Sequence, residues 1–262
     1  MTQPFIRVLG SCDWHATAGN DQSHYTLCDK ILIDTGSAAM MNLLNNGIEP
    51  TDIPLIFFTH MHSDHFMGLA PILHNWRVVK GDLGGLTIVG PKARVRKAVS
   101  LSLGLIFHDS PDMMGQIKTL PNIVELEGYD CTYETEDFLV HATDSQHSVP
   151  GLCYTFTDKK TGHKIGFSGD TGYQEKYGAF FRDCDLLVHE CSFGGATPEE
   201  EKKIKSRHSS AEEAVRVSIE SGAKKLLLTH TYEPKREAAL ATARKGLSIP
   251  VEWAMPGKVF EF

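Results

Sequence analysis

No run in the sequence approaches the ~18 consecutive apolar residues of a membrane-spanning helix, so no membrane partner is expected. No two cysteines stand as C-x-x-C: Cys12, Cys28, Cys131, Cys153, Cys184 and Cys191 are scattered. That spacing does not indicate a cysteine-based zinc knuckle or a thioredoxin-type centre. Basic charge is scarce as well. Lys and Arg number 26 against 33 Asp and Glu, a formal net charge of −7, which weighs against a general nucleic-acid coat. The opening Met1-Thr2-Gln3-Pro4-Phe5-Ile6-Arg7 has neither a basic n-region nor an apolar h-region, so a secretory signal is not expected. The expected setting is therefore cytoplasmic, with the cysteines reduced and mostly buried as small hydrophobes. Repeats, low-complexity runs and Pro/Ser-rich linkers are missing too. The 262 residues read as a single domain, 1–262, long enough to bury its own core. With 41% hydrophobic residues the chain is too apolar for intrinsic disorder. What is plentiful is histidine, at 13 residues.

Short apolar runs alternate with amphipathic segments. Phe5–Leu9, Tyr25–Leu27, Ile31–Ile33 and Leu55–Phe58 read as strands, the last apolar throughout as if covered on both faces. Helices are expected over Ala38–Leu44, Met67–Trp76 and Lys92–Leu105, with a strand at Leu86–Val89. Ile123 to Phe167 is β-rich. Strands follow at Leu186–Val188, Leu226–Leu228, Val251–Trp253 and Val259–Phe262. Ser210 and Glu213 have capping-box spacing, Ala211, Ala214, Val215 and Ile219 share a face, and Gly222 is a fitting stop, so a helix is expected between them. Another is expected over Arg236–Arg244. Buried strands flanked by amphipathic helices indicate the α/β class.

Thr59-His60-Met61-His62-Ser63-Asp64-His65 directly follows a buried strand. A loop at a strand end can aim His60 and His62 at one point and turn Asp64 and His65 toward a second. Imidazole and carboxylate suit Zn2+, Mn2+ or Fe2+. A polar loop whose histidines only form hydrogen bonds is the plainer alternative, disfavoured by the density of the cluster.

This segment matches the T-H-x-H-x-D-H signature of the metallo-β-lactamase superfamily, and the chain resembles that family in order from about residue 34 to residue 230. Asp34-Thr35-Gly36 resembles its first motif, an Asp that supports the metal loop. His147 in Asp144-Ser145-Gln146-His147, Asp170 in Ser168-Gly169-Asp170 and His230 in Leu228-Thr229-His230 resemble its later ligands. The resemblance implies a four-layer αββα sandwich holding two divalent metal ions. Zn2+ is the first choice, with Mn2+ and Fe2+ as alternatives. One ion is expected on His60, His62 and His147, the other on Asp64, His65 and His230, with Asp170 shared. A homodimer is implied as well.

Two segments resemble the RNase Z-like branch. Asp185-Leu186-Leu187-Val188-His189-Glu190-Cys191-Ser192-Phe193 is similar to its D-L-L-x-H-E-A-T-F stretch, and Arg207-His208-Ser209-Ser210-Ala211 to its G-H-S-T-A stretch. The resemblance implies a catalytic pair, Glu190 with His208. It implies phosphodiester hydrolysis by a hydroxide held between the metals, Asp64 orienting that hydroxide and His208 assisting the leaving group. Taken alone, Glu190 could be a strand-end charge and His208 a solvated residue before a helix. His189 faces away from Glu190 on a strand and is expected to be packed. His15, His24, His74, His108, His141 and His163 match no motif, and Cys191 is expected to be packing. Asp144 is a candidate to support His147.

The branch's tRNA-clamping arm has no room here. Ser148 to Gly169 holds only a hairpin, Leu152–Phe156 and Lys164–Phe167 around Asp158–Gly162. Two basic clusters, Arg94/Arg96/Lys97 and Lys202/Lys203/Lys205/Arg207, read as well as solvated surface as they do as phosphate-greeting patches. The expected substrate is a small or cyclic phosphodiester. RNA cleavage, including tRNA 3′ processing or another RNA or DNA cut, is the alternative. Ester, lactone or thioester hydrolysis, or a non-catalytic metal module, come after it.

Overall fold

Strands that are apolar at every position must be covered on both faces, and that requirement builds the layers of this molecule. The computed structural model describes residues 3–108, 115, 117–192, 199 and 207–262. The first sheet runs β15 (Val259–Glu261), β1 (Phe5–Cys12), β3 (His24–Leu27), β4 (Ile31–Ile33), β5 (Leu55–Phe57), β6 (Thr87–Pro91) and β7 (Asn122–Leu126), with the short β2 (Asp21–Gln22) on β1. The second runs β14 (Val251–Trp253), β13 (Leu226–Thr229), β12 (Leu186–Glu190), β11 (Lys164–Phe167), β10 (Leu152–Asp158), β9 (Phe138–Asp144) and β8 (Cys131–Glu134). Each sheet is antiparallel in one part and parallel in another. β4 to β7 and β11 to β14 are the parallel runs.

Alternation along the strands sorts side chains into three cores. Phe57, Val89, Tyr154, Phe156, Phe167, Leu186, Val188 and Leu227 meet between the sheets. Leu32, Ile56, Phe58 and Ile88 point outward from the first sheet. They pack under α1 (Ala39–Asn45), α3 (Leu69–Lys80) and α4 (Val95–Phe107). Leu187, Leu226 and Leu228 point outward from the second sheet, under α5 (Lys176–Phe180), α6 (Ala211–Ser221) and α7 (Arg236–Gly246). The layers are αββα, as the resemblance implies. Phe57 sits at the centre of the middle core, its ring centroid 5.0 Å from Phe156 and 5.5 Å from Tyr154, both edge-on. Phe57→Ala is expected to cost about 3–5 kcal/mol, read as a lower urea midpoint at unchanged slope.

The capping box of α6 is present, Ser210 Oγ accepting from Glu213 N, and Gly222 ends the helix in the left-handed region. Some boundaries differ from expectation. The helix read as Met67–Trp76 is α3, which starts two residues later and runs on to Lys80, and a separate one-turn helix, α2 (Ser63–Phe66), precedes it. The break falls at Gly68, which packs on the Gly36 carbonyl and has no room for a Cβ. α4 starts three residues later than expected, since Ala93 takes a positive φ. α5 and β2 carry too little periodicity to be read from sequence. All six cysteines are unpaired, four of them buried. No helix among the described residues is long and apolar enough to cross a membrane. Lys202, Lys203, Lys205 and Phe193 lie outside the described residues.

Candidate metal centre

The parallel strands of both sheets end at one edge, and the motif residues stand on the loops that leave those ends, where α/β sheets hold ligands. Asp34 follows β4, His60 to His65 follow β5 into α2, Asp170 follows β11, Glu190 ends β12 and His230 follows β13. His147 follows β9. The two sheets are tied together here. Leu152 N donates to the Thr59 carbonyl at 2.8 Å, Tyr154 Oη to the Phe58 carbonyl at 2.8 Å, and His230 N to the Ser11 carbonyl at 2.8 Å. Asp34 and His230 both take positive φ, 56° and 54°, a cost that non-glycine residues carry where the surroundings impose it. Gly169 is likewise at φ 54°, and a Cβ there would meet Thr59 at 2.8 Å.

The structure brings the expected ligand atoms into two adjoining groups. His60 Nε2 lies 3.2 Å from His62 Nδ1, which lies 3.0 Å from His147 Nε2. His65 Nε2 lies 3.3 Å from His230 Nε2, and Asp64 Oδ2 is 3.6 Å from each. Asp170 stands between. Its Oδ2 is 3.7 Å from His60 Nε2 and 3.9 Å from His147 Nε2, while its Oδ1 is 3.4 Å from His65 Nε2 and 3.3 Å from His230 Nε2. Within each group, His60/His62/His147/Asp170 and Asp64/His65/His230, the atoms lie within 4.8 Å of one another.

The far nitrogen of each imidazole has an acceptor, which sets the tautomer. His60 Nδ1 donates to Thr59 Oγ1 (3.2 Å), His62 Nε2 to Ser148 Oγ (3.3 Å) and His65 Nδ1 to Asp34 Oδ2 (2.8 Å). His147 Nδ1 donates to the Arg207 carbonyl (2.7 Å) and His230 Nδ1 to Ser192 Oγ (3.0 Å). The near nitrogens are then lone pairs that face one another and a carboxylate. Asp170 Oδ1 is buried with no hydrogen-bond partner, a costly state for an anionic oxygen unless a cation faces it. Converging imidazole and carboxylate lone pairs around such an atom suit a divalent metal.

The electrostatics agree. Burial, helped by the neighbouring imidazoles, pushes His60 well below the usual histidine range, and burial also lowers His62 and His147. These rings are neutral and ready to ligate. Burial opposes charge on His65 too, yet Asp170 and Asp34 outweigh it and carry His65 well above that range. A field that would hold a proton there would equally hold a cation. Asp64 resists burial through His230 and His65 and is held at about 2.

Beside this cluster, His208 Nδ1 donates to the Glu190 carboxylate at 3.1 Å and lies 3.9 Å from Asp170 Oδ2. Glu190 is fully buried and also accepts from Thr171 N (2.5 Å) and Ser192 Oγ (2.5 Å). Burial would lower His208, but Glu190 outweighs it and raises the ring to about 9.

One expectation needs correction, one holds, and one residue was missed. Asp144 does not support His147, since it turns to Lys176 at 2.5 Å while the Arg207 carbonyl takes that role. His189 is packed, with no exposure and its Nδ1 donating to the Glu190 carbonyl. Ser192 escaped sequence reading. It links Glu190, His208 and His230 at 2.5, 3.2 and 3.0 Å. Its one sequence signal is the place two residues beyond Glu190, on the same side of an extended chain.

The αββα layers and this edge site define a metal-dependent hydrolase. The chain belongs to the beta-lactamase superfamily, whose domain model (Beta-lactamase superfamily domain) matches residues 29–231. Among characterised proteins it is similar to Ribonuclease Z of Bacillus licheniformis, 27% identical over 247 residues that cover 76% of each chain. Among solved structures it is similar to the metallo-beta-lactamase fold protein YhfI of Bacillus subtilis, with TM-score 0.81 and 22% identity over 100% of both chains. It is also similar to the short form of human tRNase Z, with TM-score 0.74 and 22% identity over 98% of both chains. At such identities these two structures speak for the fold. The superfamily implies divalent metal ions.

Proposed function

We propose that this hydrolase is a phosphodiesterase acting on a small or cyclic phosphodiester, with two divalent cations, Zn2+ first among them. His60, His62 and His147 would hold one cation, Asp64, His65 and His230 the other, and Asp170 both. When bound, such a pair would neutralise charge on the phosphate and acidify water. The rest of the chemistry falls to the chain. Asp64, an ionised member of the cluster, is placed to take a proton from the attacking water. His208 is placed to give one to the leaving oxygen through Nε2, its Nδ1 proton being committed to Glu190. Glu190 holds that ring in place and keeps it charged.

The observation that carries this reading is the Glu190–His208 pair, 3.1 Å apart and 3.9 Å from the shared carboxylate. An acid so placed serves a leaving alkoxide, which phosphodiester cleavage produces. The likeness to proteins called Ribonuclease Z supports the same bond as target. The hairpin of β10 and β11 fills the span where a tRNA-clamping arm would be inserted, which favours a small substrate over a whole tRNA.

The test compares 2′,3′-cyclic nucleotides with a precursor tRNA on metal-quantified protein, with Zn2+ or Mn2+ supplied. Turnover of the cyclic nucleotides is expected, with little cut tRNA. Strong single-site cleavage of the tRNA without cyclic-nucleotide turnover would overturn the small-substrate reading in favour of a ribonuclease.

A further inference from the structure

A second feature stands beside the His230 loop and no part of the hydrolytic chemistry uses it. β1 ends at Cys12, whose chain pairs in parallel with Thr231, the residue after His230. The loop that leaves β1 therefore crosses beside the segment that carries this candidate ligand. It brings Trp14 and His15 with it. Trp14 is 66% exposed and Tyr232 42%, and the His15 and Tyr232 ring centroids are 5.3 Å apart. Trp14 packs on His15 in turn. Three aromatic rings thus form a continuous cluster reaching the solvent. Tyr232 is two residues past His230, so their Cα atoms are at most about 7 Å apart.

The cluster is held in place rather than hanging free. Asn20, at the end of the loop, donates to Glu233 Oε2 at 3.2 Å and accepts from Ser11 N at 3.0 Å. Gln22 Nε2 donates to the Trp14 carbonyl at 3.5 Å. Large exposed aromatic surface carries a solvation cost that a soluble chain tolerates where it binds something. A planar π-system stacks on aromatic rings with little demand on its identity. One ribose ring separates the phosphorus of a nucleoside phosphodiester from its base, a short reach from His230 to this cluster.

We propose that Trp14, His15 and Tyr232 form a stacking platform for the nucleobase of a nucleotide whose phosphodiester sits at the His/Asp cluster. This rests on the phosphodiesterase reading and narrows its substrate to a base-bearing one. A mononucleotide and the last nucleotide of an RNA strand offer the same base.

Two measurements separate the platform from the chemistry. The first reads binding without turnover. Of the three tryptophans, Trp76 and Trp253 are buried, so Trp14 is the one whose ring a base can reach, and Trp14→Phe protein supplies the emission background. Titration with AMP is expected to quench the Trp14 emission, and ribose 5-phosphate is expected not to. A short oligoadenylate competes in the same titration, and the tighter of the two names the source of the base. The second compares 2′,3′-cyclic AMP with glycerol 1,2-cyclic phosphate, the same strained ring without a base. Trp14→Ala is expected to raise KM for the nucleotide by about five- to 150-fold, the range that loss of one base–aromatic stack produces. Its effect on the glycerol ester is expected to stay within two-fold, and Trp14→Phe should restore most of the nucleotide KM. Equal losses on both substrates, or quenching by ribose 5-phosphate alone, would overturn the platform. Base-dependent quenching in a protein that cleaves neither ester would leave the platform standing and overturn the phosphodiesterase reading.

Discussion

Asp170→Ala protein is expected to lose bound metal and about 10^3-fold or more of its cyclic-phosphodiester turnover. The carboxylate presents one oxygen to each half of the cluster, Oδ2 toward His60 and His147 and Oδ1 toward His65 and His230. Without it, the His60/His62/His147 group has no anionic member, and neutral imidazoles alone hold a divalent ion less well at equal ligand count. A metal site supplies several kcal/mol of transition-state stabilisation, and ~4 kcal/mol corresponds to about a thousand-fold in rate. The checks are elemental analysis, counted per chain, and kcat/KM on the same preparation, with a circular-dichroism melt as control for folding. Two metal equivalents retained with turnover within ten-fold of wild type would remove Asp170 from the centre. Asp170→Asn, of the same shape, guards against collapse of the loop.

The second large effect is expected at His208. His208→Ala should lower turnover of a 2′,3′-cyclic nucleotide by about 10^2- to 10^4-fold, the usual worth of a general acid, while metal content stays at the wild-type level. The loss should depend on the leaving group. A nitrophenolate departs without a proton, so on bis(4-nitrophenyl) phosphate the deficit should shrink to a small fraction of that seen with the ribose alkoxide. Glu190→Gln should show the same pattern in weaker form, because it leaves the ring in place but removes the charge that holds its proton. Equal deficits on both substrates would mean that His208 only shapes the site.

The legible and the illegible parts of this site differ in how locally they are encoded. His60, His62, Asp64 and His65 sit within six positions after an apolar strand, so their convergence follows from one loop. His147, Asp170 and His230 are each isolated in sequence. Composition and periodicity say nothing of them, and the family's motif order alone marked them. Glu190 and His208 were found the same way. The supporting partners were not found, since they are chosen by contact rather than by pattern. The acceptor for His147 is a backbone carbonyl of Arg207, which any residue could supply. Asp144, close in sequence and of the right chemistry, is drawn instead to Lys176 across the surface. Ser192 serves three partners from three elements, an arrangement visible only once β12, β13 and the segment before α6 are side by side. His15, read as unremarkable, becomes part of an aromatic cluster only because β1 meets the residue after His230.

By itself the sequence determined the α/β class and one dense donor loop, His60 to His65, while the order of family motifs supplied the four-layer arrangement and the remaining candidate donors. Strands apolar on every side require cover on both faces, helices with one apolar stripe supply it, and four imidazole and carboxylate donors stand together in one loop. Tertiary structure alone decided which nitrogen of each imidazole points inward, which oxygen of Asp170 faces which group, and what stands beside the cluster. The reason is physical. Burial and periodicity are properties of a segment and survive in its residue order. A tautomer, a carboxylate that faces two groups of imidazoles and a cluster of aromatic rings are relations between segments up to about two hundred residues apart, and they exist only where the two sheets meet.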